Sequence, residues 1–164
     1  MNYAGARPLI ESGDVLFWSH KPVRSWYDFQ IWLVRAFTRS EWSHVGLAWA
    51  VGGRLFVLEA VSAGIRIFPL SRAGDFTWVK RGAFTAGMEM FALAHVGEPY
   101  SRWDAIRALF GASNNKDSQW FCSEFVCSVL DLRIEDQTPA EVMRYLAEVE
   151  DLRPAFVRNT TTPA

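Results

Sequence analysis

The sequence predicts an α+β domain, with a run of strands in its first half and a run of helices in its second. Three observations carry this. Residues 43–51 and 54–61 are two strand-like runs joined by Gly52-Gly53, a two-residue hairpin signal. Shorter strand-like runs flank them at 14–18, 64–69 and 76–81. From residue 86 onward the apolar spacing becomes helical, and helices are expected over 86–96, 101–111, 121–131 and 139–149.

In chain order, DVLFW at 14–18 follows the Ser12-Gly13 turn and reads as a short strand. Residues 25–38 repeat Trp26, Phe29, Leu33 and Phe37 at helical spacing. Few positive charges lie on the polar face of that helix, which favours a buried or substrate-flanking helix over a membrane-surface one. GIRIFP at 64–69 and FTWVKR at 76–81 continue the hairpin as an antiparallel meander. The last helix opens with Thr138-Pro139-Ala140-Glu141, the pattern of a capping box with proline at the first helical position. RNTTTPA at 158–164 reads as a disordered tail, leaving a single domain over residues 1–157.

Composition narrows the function classes. A chain of 164 residues, half of them hydrophobic, suits one domain with a real core. A net charge of -1 without a Lys/Arg block gives no electrostatic basis for binding nucleic acid. Most of the 8 Trp are expected in the core, with an aromatic ligand groove as the sharper reading. The two cysteines, Cys122 and Cys127, are five residues apart and would point about 140° apart on a helix. They are therefore not expected to form a disulfide, and their number fits a reducing compartment. The N-terminus lacks the apolar segment of a secretory signal, and no stretch nears the roughly 20 apolar residues of a membrane span. The expectation is a soluble protein made in the cytoplasm, with a phage-associated or lysis-released protein as the alternative.

Two places could carry chemistry. In the hairpin, a two-residue loop pairs Val51 with Arg54. Counting back places Gly46 opposite Glu59, and His44, Gly46 and Glu59 on one face. Glu59 could then orient the His44 imidazole across a glycine that leaves the space open. The plainer reading is an exposed Glu and a partly buried His. The second place is Cys122, where polar residues lead into an apolar helical pattern. A thiol in the first turn of a helix is biased toward thiolate, beside N–H groups able to hold an oxyanion. The plainer reading, a small buried hydrophobe, is the one taken for Cys127.

The segments Gly13-Asp14-Val15-Leu16-Phe17-Trp18, Ser43-His44-Val45-Gly46-Leu47-Ala48 and Val57-Leu58-Glu59-Ala60 resemble the "GDLVFF … HVGIY … G … IHA" core of the NlpC-type cell-wall peptidases. Cys122-Ser123-Glu124-Phe125-Val126 is similar to their "CSGFV" nucleophile helix, and Gly97-Glu98-Pro99-Tyr100 to their "GxPY" element. Here the cysteine segment follows the strands rather than preceding them. That order resembles the permuted branch with the YiiX/YebB-like proteins and the relatives of lecithin–retinol acyltransferase.

The resemblance implies a circularly permuted papain-like fold, with an antiparallel sheet or small barrel packed on helices and the nucleophile helix C-terminal to the strands. It implies Cys122 as nucleophile, His44 as base and Glu59 as the orienting group. Tyr100, Ser43 and Trp120 would border the oxyanion and substrate. Three departures leave the substrate class open. Glu59 stands where the acyltransferase relatives have a second His, Glu124 stands where the wall peptidases have Gly, and the stretch from Tyr100 to Cys122 is long. A cell-wall peptide, another amide or isopeptide, and a lipid or acyl ester are the enzyme substrates weighed. A non-catalytic binding or virion module is the alternative of another class. No metal or cofactor is expected, since three His and two Cys at these separations match no zinc spacing. His20 is read as a surface or capping residue, and His95 as meeting carbonyls at a helix end.

Overall fold

The computed structural model describes residues 1–19, 41–61, 63–98 and 121–159. After a short helix α1 (Tyr3–Ala6) come strands β1 (Val15–Trp18), β2 (His44–Val51), β3 (Arg54–Val61) and β4 (Gly64–Pro69). A 3₁₀ turn (Leu70–Arg72) leads to β5 (Phe76–Val79), followed by helices α2 (Ala86–Ala94), α3 (Cys122–Leu130) and α4 (Pro139–Glu148), and a final strand β6 (Pro154–Val157). The expected helices over 25–38 and 101–111 lie outside the described residues.

The strands form one antiparallel sheet in the order β4-β3-β2-β1-β5-β6. As described, this is an open sheet with β4 and β6 at its edges rather than a barrel. The expected meander holds from β2 to β4 and then stops. The chain crosses over so that β5 pairs with β1, through Val15↔Val79 and Phe17↔Thr77. β6, which sequence patterning did not single out, adds to β5 through Phe76↔Val157 and Val79↔Pro154. Its leading proline is tolerated at the first position of an edge strand. Order continues past the expected boundary at 157: the Arg158 N–H donates to Met1 O at 2.9 Å, and the buried Asn159 side chain donates to Leu70 O at 3.1 Å.

Successive strand residues feed opposite faces. Val15, Phe17, Val45, Leu47, Leu58 and Val79 pack with Phe125, Val126, Cys127, Val142 and Leu146 on the helical side. Leu16, Ala48, Val57, Phe76 and Trp78 pack with Ala6, Ile10 and Leu70 on the other. Both faces of the sheet are therefore covered. No helix among the described residues is long and apolar enough to cross a membrane.

Gly13-Asp14, part of the family-like pattern, is structural. The fully buried Asp14 carboxylate accepts from Glu11 N at 2.9 Å, Trp78 Nε1 at 2.8 Å, Arg81 N at 3.0 Å and Gly82 N at 2.8 Å. It thereby ties the start of β1 to the chain leaving β5, satisfying donors that burial would otherwise leave unpaired. Gly13 has φ +90°, and a Cβ there would stand 2.7 Å from Gly82 O. At α4, Thr138 caps the helix by accepting from Glu141 N at 3.2 Å, with Pro139 in the first turn. The expected reciprocal half of a capping box is replaced by an ion pair, because the Glu141 carboxylate takes Arg144 at 2.6 Å.

Candidate active site

The hairpin register is the one expected from a two-residue loop, with Val51↔Arg54 at its tip and pairing back to Leu47↔Leu58. Gly46 abuts Glu59: a Cβ on Gly46 would lie 3.3 Å from Glu59 Cβ, 3.1 Å from Leu58 O and 2.7 Å from Val57 Cγ2. Only a residue without a side chain fits there, and His44 and Glu59 meet across it. His44 Nε2 and Glu59 Oε2 are 2.6 Å apart. Trp18, the partner of His44 in the β1–β2 register, packs its ring 5.4 Å from the imidazole and donates Nε1–H to Ala73 O at 2.8 Å. The imidazole is thus held by a carboxylate at one nitrogen and an aromatic ring against its plane.

The other partner comes from far along the chain. Cys122 is the first residue of α3, after Phe121 at the N-cap. Phe121 N–H is taken by Glu124 Oε2 at 3.3 Å, and Ser123 Oγ donates to Gln137 O, fixing this end of the helix against the segment before α4. The Cys122 sulfur lies close enough to the His44 side chain and to the backbone N–H groups of Val45 and Ser123 for all three to favour its thiolate form. With Nε2 engaged by Glu59, Nδ1 is the ring nitrogen left for the sulfur. The β2–β3 pairing ends at Leu47↔Leu58, so Val45 lies in the stretch of β2 beyond it, on the same side of the pairing as His44.

The electrostatics favour a charged pair. Burial pushes the Cys122 thiol up, but the hydrogen bond and charge of His44, aided by the Val45 and Ser123 amides, hold it below its ordinary 9.0. Burial pulls His44 down, yet its hydrogen bonds to Cys122 and Glu59 and their negative charges push it from 6.5 up to about 10. Burial raises Glu59, and His44 and Arg66 more than offset this, keeping it below 4.5. Cys127 is the opposite case: burial, with the charges of Glu124 and Cys122, pushes it up to about 12. The titrations of the two thiols, five residues apart, are therefore shifted in opposite directions, and neither is in a disulfide.

Of the residues singled out from sequence, Cys122, His44 and Glu59 converge. Ser43 lies beside them, with Oγ donating to Trp18 O at 3.1 Å, which closes the β1–β2 corner. Tyr100, Trp120 and His20 lie outside the described residues. The start of the Gly97-Glu98-Pro99-Tyr100 element is clipped to the sheet edge, with Gly97 N to Ile65 O at 2.8 Å and Ile65 N to Glu98 O at 2.9 Å. Gly64, at φ +111°, makes room for it, since a Cβ there would stand 2.5 Å from Glu98 O. His95 meets a helix carbonyl as expected, with Nδ1 2.7 Å from Phe91 O.

Sequence reasoning missed Arg66. It lies opposite Glu59 in the β3–β4 register and donates Nε–H and Nη2–H to Glu59 Oε1 at 2.8 and 2.7 Å. The signal was present: counting back across residues 62–63, as for the first hairpin, puts 66 opposite 59. Among the described residues, no three His, Cys, Asp or Glu side chains gather as metal ligands.

No protein-family model matches the chain. No curated protein sequence matches it either. Among solved structures, it is similar to the crystal structure of metalloprotein YiiX from Escherichia coli O157:H7, at 24% identity over 85% of this chain and 81% of that one, with a TM-score of 0.54. At that identity the likeness establishes the fold, a YiiX-like α+β arrangement of an antiparallel sheet with helices.

Proposed function

We propose that this chain is a cysteine-dependent hydrolase of the permuted, NlpC-type papain-like kind, cleaving an amide or peptide bond through a thioester acyl-enzyme. The observation that carries the reading is the Cys122–His44–Glu59 cluster, its cysteine and glutamate buried and its histidine partly exposed, with the sulfur at a helix N-terminus. In this reading the Cys122 thiolate attacks the substrate carbonyl carbon. The electron pair moves to the oxygen, which the Cys122 backbone N–H, a first-turn amide with no acceptor inside the helix, stabilises together with Tyr100. The imidazolium of His44 gives its proton to the leaving amine as the C–N bond breaks. Neutral His44 then takes a proton from water, whose oxygen attacks the thioester, and the thiolate departs with the carboxylic acid released. Glu59 holds the ring by Nε2 and stabilises its charged form throughout.

YiiX is described as a metalloprotein. The described residues do not suit a metal at this site, because the His44 imidazole is already engaged by the Glu59 carboxylate and the Cys122 sulfur, and among the described residues no group of three His, Cys, Asp or Glu side chains gathers as metal ligands. No step is therefore assigned to one.

The test is interception of the acyl-enzyme. A panel of muropeptides, other amides and isopeptides, and acyl esters is incubated with the protein, quenched in acid and mapped by mass spectrometry. The expected result is an acyl adduct on Cys122, released by hydroxylamine, with the acyl donors ranked toward amides. Esters alone would move the reading to a lipid or acyl-ester enzyme. No adduct with any member, together with an inert Cys122, would make the fold a binding module.

A further inference from the structure

We infer that Arg66 is a positioning residue for the Cys122–His44 pair, acting through Glu59. The inference rests on the proposed reading of that pair as the reactive centre. Glu59 divides its two oxygens: Oε2 meets His44 at 2.6 Å, while Oε1 receives both Nε–H and Nη2–H of Arg66 at 2.8 and 2.7 Å. A carboxylate bound at both oxygens cannot rotate about its last torsion without breaking charged hydrogen bonds, so the guanidinium fork fixes the oxygen that fixes the ring.

Burial makes the arrangement necessary. The Glu59 side chain is 6% exposed and Arg66 45% exposed, so the carboxylate has almost no water to solvate it and the arginine reaches it from the open side. The arginine is itself held: two residues on along the same face, the Phe68 ring lies 4.5 Å beneath its guanidinium carbon. The β3–β4 pairing places Arg66 directly opposite Glu59, so the contact follows from strand register and not from a mobile surface side chain. The guanidinium contacts of Arg66 are with the Glu59 carboxylate and the Phe68 ring, not with the sulfur or the imidazole. Its effect on the chemistry passes through the carboxylate.

Two consequences separate this role from simple stabilisation of the sheet. Arg66 keeps Glu59 ionised, and an ionised Glu59 supports the imidazolium that supports the thiolate. Removing the guanidinium lets Glu59 take a proton at higher pH. That weakens the support of the imidazolium and moves the acid limb of Cys122 reactivity upward. The fork also demands two donors in one plane, so lysine restores the charge without the full geometry.

The experiment follows alkylation of Cys122 by iodoacetamide against pH, resolved by peptide mass spectrometry, in the full-length protein and its Arg66→Met, Arg66→Lys, Glu59→Gln and Arg66→Met/Glu59→Gln variants. The expected result is an acid limb displaced upward by about one pH unit in Arg66→Met, a smaller displacement in Arg66→Lys, and no added effect of Arg66→Met once Glu59 is Gln. Thermal unfolding of each variant checks the fold, and a folded Arg66→Lys with an intermediate limb supports the inference even if Arg66→Met is unstable. A wild-type limb below pH 8.5 that coincides with the limb of a folded Arg66 variant overturns the inference and leaves the reading of Cys122 intact. A wild-type Cys122 with no limb below 8.5 overturns both.

Discussion

Cys122→Ala is expected to lose turnover by about 10⁴-fold or more on whichever substrate the wild type cleaves, while Cys127→Ala keeps it. The asymmetry follows from position. Cys122 opens α3, with an imidazole and two backbone amides on its sulfur. Cys127 lies in the apolar helical core, 1% exposed, where burial pushes its thiol up to about 12. Removing Cys127 deletes one buried sulfur and costs about 1 kcal/mol of stability, visible as a lower melting temperature with normal rates. Comparable turnover in wild type and Cys122→Ala would remove the nucleophile from the mechanism.

His44→Ala is expected to lower turnover at pH 7 by about 10² to 10⁴-fold, the usual worth of a positioned acid–base group. In the wild type the charged pair exists from the depressed titration of the thiol up to the loss of the imidazolium proton at about 10. Without the ring, the main influence lowering the thiol is gone and burial dominates, so Cys122 stays protonated through neutrality and beyond its ordinary 9.0. What activity remains should therefore rise only at alkaline pH. Near-normal turnover of His44→Ala at pH 7 would mean that another group activates the sulfur.

Much of this site was legible because it is local. A two-glycine turn sets the register of β2 against β3, and that register brings Glu59 to His44 across Gly46. The polar-to-apolar change at Ser118–Val126 likewise marks Cys122 as the start of a helix. What lay beyond reach is non-local. Nothing in FTWVKR says that β5 passes over its neighbour β4 to pair with β1, and a four-residue β6 opening on proline carries too short a pattern to read. The meeting of Cys122 with His44, 78 positions apart by subtraction of their numbers, came from family resemblance and not from spacing. Arg66 was legible by the same counting that found Glu59 and went unread because an arginine on a strand reads as a solvated charge.

The whole scheme depends on a sulfur that is already ionised at rest. Competitive alkylation at pH 6, with Cys122 and Cys127 quantified in one digest, measures this directly. Modification almost entirely at Cys122, with a rate that persists on the acid side of 8.5 and collapses in His44→Ala, is the result expected. Equal and slow modification of both thiols, rising together only at alkaline pH, would contradict it.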